Sequence, residues 1–234
     1  MSNKVGIIIE ARMNSSRLPG KVLMKHNGNE MLKIMVLRLK KSKKCKNIII
    51  ATTKNKKDNR IIKLTKKLNI NHFRGSEKNV LERVIKSAKK FNLNTIIKIC
   101  GDSPLIDHKI LDKMLSKYNK SKVDYLSNNL VKSYPDGMDI EIFKLKTLEK
   151  SYSISRSALN KEHVTYFIKK SKRFKKNNFK APKTSFYPKL KVTLDSYRDF
   201  KFISNILTNF NNNIYFSNDE MVKRFKSKRI KIEN

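Results

Sequence analysis

Apolar residues follow two rhythms along this chain. Short unbroken runs, Val5–Ile9 and "NIIIAT" at Asn47–Thr52, are what strands buried on both faces require. Between them, apolar positions recur three and four apart. Asn79–Phe91 carries Val80, Leu81, Val84, Ile85 and Ala88 on one helical face. On the same reading Glu30–Lys40, Asn59–Leu68 and Lys109–Tyr118 are helices. Asn71–Phe73 is a short extended piece, and Thr95–Cys100 ("TIIKIC") is another buried strand. Strand and helix alternate, which predicts an α/β fold with right-handed crossovers and a mostly parallel sheet flanked by helices. After Asp124 the rhythm changes. "VDYLSN" and "MDIEIF" read as strands around a Tyr-Pro-Asp-Gly turn, a small antiparallel excursion. Helices are expected over Leu145–Tyr152 and Lys161–Lys170, a strand over Leu190–Asp195 ("LKVTLD"), and two more helices after it. Lys172–Lys189 shows neither rhythm and reads as a candidate mobile loop. No linker or repeat divides the chain, so one domain over residues 1–234 is expected.

Charge adds a second candidate class. Lys and Arg number 55 against 19 Asp and Glu, a net +36, which raises nucleic-acid binding. The lysines are scattered over every predicted helix and loop, however, with no aromatic-interleaved basic stripe. Lys, Asn and Ile are abundant together, as an AT-rich coding sequence would produce. Nucleic-acid or polyanion binding is therefore the minority reading. Cys45 and Cys100 make neither a disulfide framework nor a metal spacing, and fit a reducing compartment. No signal peptide is evident, and no run approaches the roughly 20 apolar residues of a membrane span. A cytoplasmic protein is expected.

The chemistry begins where the first strand ends. Arg12, Ser15, Ser16, Arg17 and Lys21 surround Gly20 in "EARMNSSRLPGK". Ligands of open α/β sheets bind beyond the carboxyl ends of the strands. The Walker pattern fails, because Ser15 stands where it needs glycine and Val22 where it needs a hydroxyl. A G-x-G-x-x-G turn fails too, since Gly6 and Gly20 are far apart. What remains is a different phosphate cradle, with backbone N–H groups near Gly20 and Arg12, Arg17 and Lys21 as counter-charges. For Lys21 alone a solvated turn is the plainer reading. The whole string, directly after a buried strand, favours an anion with several oxygens, such as a triphosphate. "GDSPLID" (Gly101–Asp107) ends another strand, and "TLD" ends at Asp195, so a parallel sheet would gather Asp102 and Asp195 near the cationic loop. Two such carboxylates would repel, and one should titrate high. Asp102 reads equally as a turn residue before Pro104, Asp107 as a helix cap, and Asp195 as a cap for a helix near Tyr197. Asp136, Asp139 and Glu141 alternate as on the wet face of a strand. His163 reads more plainly as structural, and His26, His72 and His108 form no constellation.

"EARMNSSRLPGKVL" resembles the signature of sugar nucleotidyltransferases, specifically the cytidylyltransferases that make CMP-activated acidic sugars. The resemblance continues in order through "FRGSEKNVLERV", "GDSPLID", "DYLSNN", "YPDGMDIEIF", "KEHVTYFI" and "VTLD". It points to the spore coat polysaccharide biosynthesis protein F group, relatives of the CMP-Kdo and CMP-sialic acid synthetases. It implies a GT-A-like nucleotidyltransferase fold, CTP as donor, Mg²⁺ as cofactor and a Kdo- or nonulosonate-like acceptor. It also implies pyrophosphate release and commonly a homodimer. By position it implies a nucleotide loop of Ala11, Arg12, Ser16, Arg17 and Lys21. Arg74, Gly75 and Ser76 would lie near cytosine and ribose, and Asp102 and Asp195 at the metal. Arg12, Arg17, Lys21 and Asp102 are the catalytic candidates; Asp139, Glu141, Glu162 and His163 are candidates for acceptor contacts. The sequence departs from the subgroup at Lys161 and Lys191, where arginine is usual, and at Gly101, where alanine is usual. Lysine cannot supply arginine's bidentate geometry. The implied reaction is attack by an anomeric hydroxyl on the α-phosphate of CTP, with no covalent role for His or Cys. A nucleotidyltransferase using another base or a sugar phosphate is the alternative.

Overall fold

In the computed structural model, which describes residues 4–230, the isoleucine runs form the middle of a seven-stranded sheet. The rest of the expected 1–234 domain lies outside the described residues. β1 (Val5–Glu10) leads through a two-stranded antiparallel ribbon, β2 (Lys25–His26) and β3 (Asn29–Glu30), into α1 (Met31–Leu39). Then come β4 (Ile48–Thr53), α2 (Asn59–Lys67), β5 (Asn71–Gly75), α3 (Val80–Lys90), β6 (Thr95–Cys100) and α4 (His108–Lys120), the expected alternation. The second half holds β7 (Tyr125–Ser127), β8 (Glu141–Lys144), α5 (Leu145–Ile154), α6 (Ala158–His163), α7 (Tyr166–Lys170), β9 (Lys176–Asn178), α8 (Tyr197–Asn209) and α9 (Asn218–Lys226). The strand order is β5-β4-β1-β6-β8-β7-β9, and β8 alone runs against the others.

Alternation along each strand sorts side chains onto two cores. Ile7, Ile9, Ile48, Ile50, Ile97 and Ile99 pack with α1, α4, α8 and α9, whereas Ile8, Ile49, Ile96 and Phe143 pack with α3, α5 and α7. Arg38 of α1 is 2% exposed and donates to the carbonyls of Leu105, Ile106, Ile214 and Phe216. It thereby fixes the loop after β6 against the segment before α9. No described helix is long and apolar enough to cross a membrane.

Three expectations need correction. Leu190–Asp195 is not a sheet strand. Leu190, Val192 and Leu194 are buried at strand spacing, but the segment makes only one isolated bridge, Lys191 to Asp136, because no strand lies beside it to extend the ladder. Lys161–Lys170 is not one helix. It breaks at Val164, a buried β-branched residue at φ 52°, where Thr165 N–H bonds back to His163 O in a three-residue turn. Lys172–Lys189 is not loose, since β9 pairs with β7 and Phe174, Ala181 and Ser185 are buried.

Glu141 is also not on a wet face. It shares the phase of Phe143 and is 5% exposed. Thr165 Oγ1 donates to it at 2.6 Å, Lys169 Nζ at 3.0 Å, and Lys98 Nζ lies 3.7 Å away. Burial alone would raise its pKa, but Lys98, Lys169 and the Thr165 hydroxyl outweigh burial and hold it at about 2. A carboxyl depressed on folding stabilises the fold above its unfolded pKa, and that contribution is lost as pH falls through the folded value. Chemical denaturation as a function of pH should therefore find Glu141→Gln less stable than wild type near neutrality. The gap should close between about 4.5 and about 2. A gap that does not change with pH would remove the ion pairs as its cause.

Candidate active site

β1 runs into a loop shaped by its own backbone. Met13 O accepts from Ser15 N at 3.0 Å and Gly20 N at 2.8 Å, which folds residues 13–20 back on themselves. Met13 N donates at 2.8 Å to Asp58, a carboxylate 1% exposed that also accepts from the Thr52 and Thr53 hydroxyls. The loop is thus tied to the end of β4. Gly20 lies at φ 76°, where a side chain would be strained, and a single 3₁₀ turn, Lys21–Leu23, follows it.

That turn sets the ammonium of Lys21 between two carboxylates, 3.3 Å from Asp102 and 3.1 Å from Asp195. A backbone bond from Leu194 N to Asp102 O, at 2.8 Å, holds the two acidic residues side by side. Asp195 also meets Arg17 at 2.8 Å and Lys191 at 3.3 Å. It is not the helix cap. Ser196 caps α8 in a capping box with Asp199, which leaves the Asp195 carboxylate free for the cations. Asp107 does cap α4, donating nothing and accepting from Lys109 N at 2.7 Å. The expected high titration does not arise at Asp195. Burial alone would raise it, but hydrogen bonds and charge from Lys21 and Lys191 lower it below the usual carboxylate range. The cations between the carboxylates replace the repulsion with attraction.

These groups border a cleft of about 340 Å³ at the carboxyl ends of β1 and β6. Ala11, Arg12, Ser16, Arg17, Lys21, Asp102 and Asp195 all line it, as do Glu162 and His163 from the end of α6. The turn at Val164 ends α6 there. Gly101 allows the close approach of β6 to β1, since a Cβ would stand 2.5 Å from Glu10 O. An alanine here would require this junction to shift.

Other expected residues lie elsewhere. Arg74 is committed to Thr53 O, Asn55 O and Asn59 Oδ1, facing the β4–α2 connection. Gly75 packs against Arg83 and Phe73, and Ser76 accepts from Asn79 N. None of these three lines the cleft. Asp139 and Glu141 do not line it either. Asp139 is raised by burial despite a hydrogen bond from Asn129, and Glu141 is enclosed by its two lysines.

Sequence reading passed over Glu10, Asp58, Arg83 and Cys100. Glu10, Arg83 and Cys100 line the inner end of the cleft. Glu10 and Cys100 are register partners, and both follow the phase of Ile8 and Ile96, which aims them at the α3 side. Lys98 alone would lower the Cys100 thiol, but burial with Glu10, Asp102 and Glu141 pushes it up to about 12. A neutral thiol makes a poor nucleophile.

The chain has similar counterparts among known proteins. A family model described as cytidylyltransferase matches residues 6–230. The spore coat polysaccharide biosynthesis protein SpsF of Bacillus subtilis is 31% identical over 215 residues, which cover 86% of this chain and 85% of that protein. A cytidylyltransferase structure from Leptospira borgpetersenii serovar Hardjo-bovis superposes with a TM-score of 0.93 at 33% identity, covering 100% of this chain and 99% of that one. The structure of CMP:2-keto-3-deoxy-manno-octonic acid synthetase complexed with CTP shares the fold, with a TM-score of 0.67 at 15% identity over 88% of this chain and 98% of that one. Matched along nearly its whole length in sequence and in fold, this chain belongs to the cytidylyltransferase family.

Proposed function

We propose that this protein transfers CMP from CTP to an acidic sugar of the Kdo or nonulosonate class, with release of pyrophosphate, in surface polysaccharide or glycan biosynthesis. The observation that carries this reading is the convergence of Arg17 and Lys21, on the loop after β1, with Asp102 and Asp195 at one end of the cleft. A triphosphate and a sugar carboxylate are both anions, so bringing them together needs mobile or exposed cations at the meeting point. Arg17 is 68% exposed and can leave Asp195 for phosphate oxygens without being pulled from a core. Lys21 can turn the same way, since its ammonium has three donors and a flexible stem.

The donor set suits a divalent magnesium ion. Two carboxylates that one ammonium group can already bridge lie close enough to share a small hard cation. Among the described residues no group of three or more His, Cys, Asp or Glu forms a metal cage. Asp102 and Asp195 would therefore hold the ion together with phosphate oxygens and water, the usual magnesium arrangement. When bound, it supplies neutralisation of phosphate charge and polarisation of the α-phosphate. The chain's own work is positioning. Ser15 and Ser16 offer hydroxyls to phosphate, Arg17 and Lys21 hold the leaving pyrophosphate, and the acceptor occupies the inner end of the cleft, from which its anomeric hydroxyl can face the α-phosphorus in line. A homodimer in the cytoplasm completes the proposal.

Pyrophosphate release with each of the four nucleoside triphosphates, against a panel of acidic sugars and sugar phosphates, tests it. CTP with a sugar acid should be the productive pair. In that pair Arg17→Ala and Lys21→Ala should each lower kcat/KM by at least about tenfold, the scale of a charge-assisted bond to phosphate. Arg17→Ala should leave the melting temperature unchanged, because the side chain is mostly exposed. Equal turnover of all four triphosphates, or wild-type kinetics in both variants, would contradict the proposal.

A further inference from the structure

Arg83 is a buried cation with no carboxylate in direct contact. It projects from α3 into the inner end of the cleft and is 2% exposed. Its Nη1 donates to the backbone carbonyl of Ser76, while its Nε has no partner. Among the described residues no carboxylate oxygen comes within 4.0 Å of it. Guanidinium groups this deep are normally matched to an anion, since an uncompensated buried charge is costly.

A second unsatisfied atom faces the same space. Glu10 reaches Lys98 with Oε2 at 3.8 Å, but its Oε1 is buried and without a partner. Glu10 and Glu141 pair with Lys98 and Lys169. Glu10, Asp58 and Glu77 attract Arg83 only from beyond ion-pair distance, so its guanidinium has charge support but no carboxylate in contact. Arg83 Nε and Glu10 Oε1 are therefore one donor and one acceptor without a hydrogen-bond partner on two residues that line the cleft, next to the region where the cations of the first loop gather.

The geometry points to Arg83 and Glu10 as the acceptor-binding pair, with Arg83 holding the carboxylate of a sugar acid and Glu10 accepting from a hydroxyl or amino group of the same molecule. This assignment rests on the cytidylyltransferase reading and names its acceptor subsite. It also resolves a difficulty of charge. Of the acidic acceptor candidates only Glu162 lines the cleft, and it would repel a sugar carboxylate, whereas Arg83 attracts it. Cytosine also offers acceptors at O2 and N3 and a donor at N4, but it carries no charge to offset a buried guanidinium, which a sugar carboxylate does; KM for CTP against KM for the acid separates the two.

Steady-state kinetics and calorimetry on the full chain test the pair. The probes are 3-deoxy-manno-octulosonate and N-acetylneuraminate, each as free acid and as methyl ester, with CTP and Mg²⁺. Arg83→Met keeps the aliphatic stem and removes the charge. It should raise KM for the free acid at least about tenfold, the scale of a lost charge-assisted bond. KM for CTP should stay within about twofold. The preference of wild type for acid over ester should disappear in the variant. Its melting temperature should not fall, because a buried charge with no carboxylate in contact has been removed; a purely structural arginine would lower it. Glu10→Gln should likewise raise KM for the acid with KM for CTP unchanged. The assignment is overturned if Arg83→Met raises KM for CTP as much as for the acid, or if ester and acid bind wild type equally. It is also overturned if wild type binds CTP by calorimetry yet neither acid at millimolar concentration. Failure of CTP itself to bind or release pyrophosphate would instead remove the cytidylyltransferase reading.

Discussion

Lys21 holds Asp102 and Asp195 in one place, its ammonium 3.3 Å from the first and 3.1 Å from the second. The two carboxylates belong to segments 93 residues apart, the loop after β6 and the stretch before α8, and their natural tendency is to repel. Several independent features serve this contact. Met13 closes the loop that carries Lys21, Asp58 anchors Met13 to β4, and Gly20 allows the backbone to turn. The bond from Leu194 N to Asp102 O brings Asp195 alongside, and Ser196 takes over the capping of α8. Arg38 secures the loop that follows Asp102. Each constraint is local, and their common result is a junction of opposite charges at the edge of a mostly parallel sheet.

The cleft divides electrostatically. At its outer part Arg17 is mostly exposed and can exchange partners at little cost, whereas Lys21, 12% exposed, is held between its two carboxylates. Its inner part is buried. Lys98, Glu10, Glu141 and Lys169 form a compensated chain beneath it, and the low dielectric there makes any unmatched charge count heavily. On the proposed function, one anionic ligand would meet Arg17 and Lys21 and the other the fixed buried cation Arg83.

Much of this was legible in the sequence, and the exceptions have identifiable causes. Continuous apolar runs gave β1, β4 and β6 because strands in the middle of a parallel sheet are buried on both faces. The loop after β1 was legible because its residue types are anomalous directly after such a strand. Leu190–Asp195 misled because alternating burial requires only a core on one side, whereas a strand also requires a partner for its backbone, and that partner is invisible in one segment. The break at Val164 gave no signal, since neither glycine nor proline marks it. Glu10 and Lys98 sit inside apolar strands, and their convergence depends on the register between β1 and β6. Arg83 carries no signal of its own in the sequence; only the packing of α3 against the sheet and α6 encloses it.

The account's central claim is that Asp102 and Asp195 hold a divalent ion jointly with the nucleotide, in the place that Lys21 now bridges. Titration of Mn²⁺ followed by electron paramagnetic resonance, with and without CTP, measures this directly. The account predicts weak Mn²⁺ binding to wild type alone, because Lys21, Arg17 and Lys191 together already neutralise the two carboxylates. It predicts much tighter binding once CTP is present, and loss of that CTP-dependent gain in Asp102→Asn. Equal Mn²⁺ binding by wild type and Asp102→Asn in the presence of CTP would contradict it.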